Sequence, residues 1–99
     1  MKFILGFTDS AKETLKKLKS DPGLKKQNKA VSKALILLEQ NLRHPSLQAH
    51  VYYSLKGLHG EKVFEIYAEQ HTPAAYRIFF YYCSITKGKI IILAITPHP

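Results

Sequence analysis

AYRIFFYYCSITKGKIIILAIT, residues 75–96, is the stretch that decides the fold of this 99-residue chain. Two apolar segments rich in aromatic and β-branched residues flank a short polar segment that contains a glycine, which is typical of antiparallel strands joined by a turn. We predict strands at Ala75–Cys83 and Lys89–Thr96, preceded by a strand at Lys62–Glu69. The short connectors between them predict a three-stranded antiparallel meander.

The first half of the chain shows helical periodicity instead. Ser10 and Glu13 form a candidate capping box, and apolar residues then recur at helical spacing. The predicted elements of this half are a strand at Lys2–Phe7, a helix ended by Asp21-Pro22-Gly23, a second helix over Leu24–Asn41, and one short strand at Val51–Leu55 within a long loop. Residues 1–99 are thus expected to form a single α+β domain of order β-α-α-β-β-β, with an antiparallel helix hairpin packed on one face of the sheet.

Charge is the most informative feature of the composition. Fifteen Lys and Arg residues against seven Asp and Glu residues give a net charge of +8, which favours a polyanionic partner because phosphate contacts release counterions. The longest apolar run is too short to cross a bilayer and the N-terminus lacks a signal-peptide pattern, so we expect a cytoplasmic protein without a membrane partner. Cys83 is the single cysteine, which excludes an internal disulfide and a thiolate zinc site, and the histidine spacing indicates no metal.

Strand alternation sorts the side chains of the meander onto two faces. We expect the helices to cover the face that carries Phe64, Ile66, Ile78, Phe80, Leu93 and Ile95. The outer face would then carry Glu65, Tyr67, Arg77, Phe79, Tyr81, Thr96 and, if the last strand continues, His98. Ile90 and Ile92 also fall on this outer face, which predicts an apolar groove for a protein partner.

The outer face combines a cation, aromatic rings and two groups that can move protons, as an RNA site requires. The plainer alternative is that Glu65 and Arg77 form an ordinary cross-strand ion pair and that His98 belongs to an unremarkable tail. The pattern of residues alone leaves both open.

Three blocks in this order, GEKVFEIY (60–67), AYRIF (75–79) and KGKIIILAITPHP (87–99), follow a strand and two helices. The chain therefore resembles the RelE/ParE superfamily of toxins from type II toxin–antitoxin systems, and within it the RelE-like members. The resemblance implies a toxin that cuts mRNA on the ribosome without metal or other cofactor and is silenced by a cognate acidic antitoxin. In such a reaction the ribose 2′-OH attacks the adjacent phosphate.

The resemblance also implies roles for individual residues. The implied catalytic residues are Arg77, His98 and Glu65; the implied RNA-binding residues are Lys56, His59, Lys62 and Tyr81; and Ile90 and Ile92 are expected to bind the antitoxin. Because Arg43 and Arg77 are the only arginines, we favour chemistry based on a carboxylate and a histidine over a version that uses several cations. Two alternatives stay open, a ParE-like toxin that inhibits DNA gyrase by binding and an inactive relative that keeps only the antitoxin-binding surface.

Overall fold

The computed structural model describes residues 2–40, 47–68 and 75–97 of the chain. Its elements are β1 (Ile4–Phe7), α1 (Asp9–Ser20), a 3-10 turn (Pro22–Leu24), α2 (Lys25–Gln40), β2 (His50–Lys56), β3 (Lys62–Tyr67), β4 (Tyr76–Tyr82) and β5 (Lys89–Pro97). Within the described ranges, no helix has the length and apolar character needed to span a membrane.

The strands form one sheet in the order β1-β5-β4-β3-β2. Strands β2 to β5 are antiparallel neighbours, whereas β1 lies parallel to β5. The predicted meander of three strands is thus part of a five-stranded sheet, extended by one strand on each side. The helices follow β1 directly and carry the chain away from it, which leaves the edge of β1 to pair with the last strand in parallel.

Strand β2 is the element that the sequence analysis most underestimated, since only a short strand at Val51–Leu55 was expected. His50 faces Glu65 whereas Lys56 faces Lys62, so β2 spans more residues than β3 over the same part of the sheet. Such an irregularity disturbs the two-residue alternation by which a strand is recognised in a sequence.

Helix α1 is capped by Thr8 and not by the predicted box of Ser10 and Glu13. The Thr8 hydroxyl accepts a hydrogen bond from the Ala11 amide at 3.2 Å, and Thr8 itself has an extended backbone. The same hydroxyl donates to the Leu93 carbonyl at 2.7 Å. Thr8 is therefore favoured as the cap because one side chain satisfies the helix and a strand of the sheet together.

A β-bulge in β5 determines which of its apolar residues face the helices. Phe79 faces Ala94 and Phe80 faces Ile92, so Leu93 has no partner of its own on β4. An extra residue of this kind reverses the alternation of side chains beyond it. Before the bulge the even-numbered residues of β5 therefore face the helices, and after it the odd-numbered residues do.

Because of the bulge, Ile90 and Ile92 lie beneath the helices, each 0% exposed, and Ile95 joins them at 1%. Ile91 and Leu93 pack instead against the apolar cluster of the outer face. The prediction that Ile90 and Ile92 line an antitoxin groove on the outer face is therefore wrong, and so is the placement of Leu93 under the helices. Both predictions rest on unbroken alternation of the side chains along β5, which the bulge interrupts.

The helix hairpin covers one face of the sheet, as predicted. The core between the two layers includes Ala11, Leu18, Val31, Leu38, Ile66, Ile78 and Phe80. Within each helix the two named residues are seven positions apart, so each helix turns one apolar stripe to the sheet and leaves its lysines in solvent.

Candidate active site

A buried carboxylate lies on the outer face of the sheet, with a basic side chain at each of its oxygens. The Glu65 side chain is only 5% exposed. Its Oε1 is 2.6 Å from His50 Nε2, and its Oε2 accepts a hydrogen bond from an Arg77 N–H at 3.1 Å. We call His50, Glu65 and Arg77 the Glu65 cluster. A carboxylate this buried needs such partners, because an unpaired charge there would be costly.

Strand register explains why these three side chains meet. His50 on β2 is directly opposite Glu65 on β3. Arg77 on β4 is opposite Tyr67, so it reaches Glu65 along the diagonal of the ladder. On its other side Arg77 faces Thr96 of β5, so His50, Glu65, Arg77 and Thr96 form a polar row across four strands, β2 to β5.

The Arg77 guanidinium contacts an aromatic ring in addition to Glu65. Its central carbon lies 5.0 Å from the centroid of the Phe79 ring, a cation–π contact. Among the described residues, neither the buried Arg77 Nε nor the buried Thr96 hydroxyl has a hydrogen-bond partner. A guanidinium offers five N–H donors, so this site combines a fixed cation with hydrogen-bonding capacity that Glu65 does not use up.

The structure brings Arg77 and Glu65 together on the outer face, and their catalytic roles stay predictions. His98 lies outside the described residues; Thr96, two positions before it in the sequence, is part of the polar row. Within the described ranges, no group of three or more His, Cys, Asp and Glu side chains is arranged to hold a metal ion.

Tyr81 does lie on the outer face but is unsuited to stacking on a base, because it is only 6% exposed. Gly57 covers it so closely that a Cβ added at Gly57 would be 2.8 Å from the Tyr81 ring. Tyr52 is a partly exposed aromatic residue of this region, and its ring centroid is 4.8 Å from that of Phe79. The prediction of Tyr81 as an RNA-stacking residue is therefore corrected.

The three predicted loop cations do not join the cluster. Lys62 shares the alternation of Phe64, which faces the helices, and Lys56 is directly opposite Lys62. Both lysines thus belong to the other face of the sheet from Glu65. His59 lies in the turn between β2 and β3, with a side chain 48% exposed.

His50 is the member of the cluster that sequence reasoning missed. The signal was present, because His50 and Tyr52 alternate with Val51 and Tyr53 in HVYY, residues 50–53. This alternation points to the outer face only if β2 is a full strand paired with β3.

Away from the cluster, at the other end of β3, Glu61 links two turns of the sheet. Its carboxylate accepts hydrogen bonds from the His59 amide at 2.7 Å, the Ser84 hydroxyl at 2.7 Å and the Ser84 amide at 3.2 Å. Partial burial acts to raise the pKa of Glu61, but the hydrogen bonds from Ser84 and from backbone amides outweigh it and lower the pKa from 4.5 to about 2. Glu61 thus links the β2–β3 turn to the β4–β5 turn as an ionised group.

Replacing Glu61 with glutamine is expected to destabilise the protein near neutral pH and to have little effect in strong acid. Since the pKa is lower in the folded protein, the unfolded chain takes up the proton first as the pH falls. The stabilisation by Glu61 is therefore complete above pH 4.5 and is lost as the pH falls towards about 2. Urea unfolding at a series of pH values measures this as a shrinking difference between wild type and Glu61→Gln.

The exposed Glu13 of α1 supplies a control with the same change of charge. Glu13→Gln should show a small difference from wild type. A difference for Glu61→Gln that stayed constant across the pH range would contradict the role of the ionised carboxylate.

The fold of this chain is shared by several solved structures, while no protein-family model and no curated protein matches the sequence. The YoeB dimer from Staphylococcus aureus has a TM-score of 0.66 at 15% identity, covering 100% of both chains. The YoeB–YefM toxin–antitoxin heterotetramer from the same organism gives 0.65 at 15% identity, again over 100% of both chains. A mutant of the E. coli toxin RelE in the free state gives 0.60 at 15% identity, covering 98% of this chain and 84% of that one.

At this level of identity the likeness establishes the fold. The resemblance to the RelE/ParE superfamily that the sequence indicated is confirmed in that respect, including the helix hairpin on one face of the sheet. This chain has the fold of the RelE and YoeB toxins.

Proposed function

We propose that this protein is the toxin of a type II toxin–antitoxin system and that it cuts mRNA on the ribosome without metal or other cofactor. The observation that carries the proposal is the Glu65 cluster, which puts a cation, a carboxylate and an imidazole on the open face of a toxin fold. These are the kinds of group that proton transfer and charge stabilisation at a phosphate require.

The proposed reaction is an internal transfer within the RNA. The 2′-oxygen attacks the adjacent phosphorus while its proton passes to a base, the bond from phosphorus to the 5′-oxygen breaks, and an acid protonates that oxygen. The products are a 2′,3′-cyclic phosphate and a 5′-hydroxyl end. Arg77 would stabilise the charge that develops on the phosphate oxygens.

The proton transfers would fall to His98 and Glu65. Imidazole can give or take a proton near neutral pH, which suits His98 to either step. Glu65 has both oxygens engaged and little exposure, so in the free protein it first of all fixes Arg77. RNA binding would have to displace one of these bonds before Glu65 could act as a base.

Charge supports a ribosomal site of action. The helices carry exposed lysines on the side away from the sheet, namely Lys12, Lys16, Lys17, Lys19, Lys25, Lys26, Lys29 and Lys33. We propose that this basic face binds ribosomal RNA while the outer face of the sheet takes the mRNA, and that the antitoxin is acidic in order to match the net charge of +8.

The test is cleavage of a defined mRNA on programmed ribosomes by the purified protein, followed by primer extension. We expect cleavage by wild type and at least about a tenfold lower rate for His98→Ala, the range for the loss of one proton-transfer group. Lys87→Ala, which removes an exposed charge in the β4–β5 turn, serves as the control and should cut like wild type.

Absence of cleavage by a folded wild-type protein would overturn the proposal. A parallel gyrase supercoiling assay then decides between the two remaining classes, since inhibition would favour a gyrase-binding toxin. Cleavage by wild type and His98→Ala at equal rates would remove His98 alone from the mechanism.

A further inference from the structure

His50 is the solvent-facing member of the Glu65 cluster. Its side chain is 48% exposed, compared with 19% for Arg77 and 5% for Glu65. It also lies next to Tyr67, with ring centroids 6.4 Å apart. Any exchange of protons between this cluster and its surroundings therefore has the imidazole as its most accessible route.

Both nitrogens of the His50 ring point at oxygen atoms. Nε2 is 2.6 Å from Glu65 Oε1, and Nδ1 is 3.1 Å from the carbonyl oxygen of Gln48. Gln48 has a positive φ of 48°, a conformation that is uncommon for residues other than glycine. This turn of the backbone brings the Gln48 carbonyl back onto the imidazole two residues later.

The two contacts limit how His50 and Glu65 can share protons between them. A carbonyl oxygen can only accept, so the contact with Gln48 is a hydrogen bond only when Nδ1 carries a hydrogen. A neutral ring would then present a bare nitrogen to Glu65, which is acceptable only if the carboxyl group itself is protonated. The alternatives are an imidazolium next to a carboxylate, or an imidazole next to a carboxylic acid.

The second partner of Glu65 selects between these alternatives. Arg77 donates to Oε2 at 3.1 Å, and a guanidinium forms its strongest hydrogen bonds with a carboxylate oxygen. Among the residues that the structure describes, the charged or titratable groups around the imidazole are Glu65 and Tyr67 on β3 and Arg77 on β4. Of these groups, Glu65 has an oxygen 2.6 Å from the ring nitrogen Nε2.

We propose that His50 is a positioning residue that holds a proton on each ring nitrogen and, through Glu65, keeps the carboxylate ionised and aligned with Arg77. The placement of the protons is a property of the free protein. Its consequence for cleavage rests on the proposed function: once His50 loses its second proton, Glu65 is no longer held and the rate falls.

Nuclear magnetic resonance of the free full-length protein labelled with ¹⁵N-histidine tests the proton placement. Long-range ¹H–¹⁵N spectra distinguish doubly protonated from singly protonated rings, and His50→Gln assigns the signal. At about pH 7 we expect a larger doubly protonated fraction of His50 in wild type than in Glu65→Gln, where the carboxylate charge is absent. Glu61→Gln should leave His50 unchanged and alter His59, its neighbour at 3.8 Å.

Two results would overturn the proposal. One is a wild-type ring that carries its proton on Nδ1 alone at this pH, which would mean that Glu65 holds the other proton. The other is an identical His50 protonation in wild type and Glu65→Gln. Neither result depends on cleavage, so failure of the proposed function would be seen separately.

The pH dependence of cleavage tests the consequence. Glutamine at position 50 still offers a donor to Glu65 but cannot lose it as the pH rises. The ratio of the wild-type rate to the His50→Gln rate should therefore fall by about fivefold or more between roughly pH 6.5 and 8.5. A purely structural role would lower the rate by the same factor at every pH, and that outcome would contradict the positioning role.

Discussion

Replacing Arg77 with alanine is expected to lower the rate of ribosome-dependent mRNA cleavage by about 100-fold, the usual cost of removing one group that stabilises transition-state charge. Arg77 is fixed by Glu65 at 3.1 Å and by the Phe79 ring at 5.0 Å, so its charge is in place before the substrate binds. A cation held in advance loses little on binding, which is why the effect should appear in the single-turnover rate.

Arg77→Ala also removes one partner of a buried carboxylate, so its stability has to be measured with its activity. Breaking a buried pair in this way can cost about 3–5 kcal/mol. Arg77→Lys is the second variant, because it keeps a cation for Glu65 but loses the planar fork that binds two phosphate oxygens together. We expect it to fold and still to cut at least about tenfold more slowly than wild type.

Lys87→Ala again provides the control, since it loses one positive charge without touching the cluster. Cleavage by a folded Arg77→Lys protein at the wild-type rate would show that the fork is unnecessary. If Arg77→Ala folds and also cuts like wild type, the cluster is an ordinary cross-strand ion pair and the active site lies elsewhere.

Periodicity was enough to predict the layers of this fold. The apolar stripes of the helices and the alternation of β3 and β4 placed Glu65 and Arg77 on the face turned away from the helix hairpin, where the structure has them. Those inferences depend on regular geometry, which repeats along each element and leaves its trace in the sequence.

Irregular geometry was not predictable in the same way. At the bulge, the Leu93 carbonyl accepts a hydrogen bond from the hydroxyl of Thr8, a residue 85 positions earlier in the chain. Tyr81 is covered by Gly57, a residue of the β2–β3 turn that is distant from Tyr81 in the sequence. His50 joined the site through the register of β2 with β3, which a pattern within β2 alone does not reveal.

The bulge itself leads to a large expected effect on stability. Ile92→Ala should lower the free energy of unfolding by about 3 kcal/mol, within the range for truncation of a fully buried isoleucine. Ile92 is 0% exposed and packs between the sheet and the helices. A loss of this size is a large part of the roughly 5–15 kcal/mol that stabilises a typical domain. Urea unfolding of the purified variants is the measurement.

Leu93→Ala is the informative comparison, because unbroken alternation would bury Leu93 beneath the helices in place of Ile92. With the bulge, Leu93 is a half-buried residue of the outer face, and its truncation should cost about 1 kcal/mol. Ile36→Ala, at a position 55% exposed on α2, should change the stability by less than about 0.5 kcal/mol. A greater loss for Leu93→Ala than for Ile92→Ala would mean that β5 runs without a bulge, and it would return Ile90 and Ile92 to the outer face beside the Glu65 cluster.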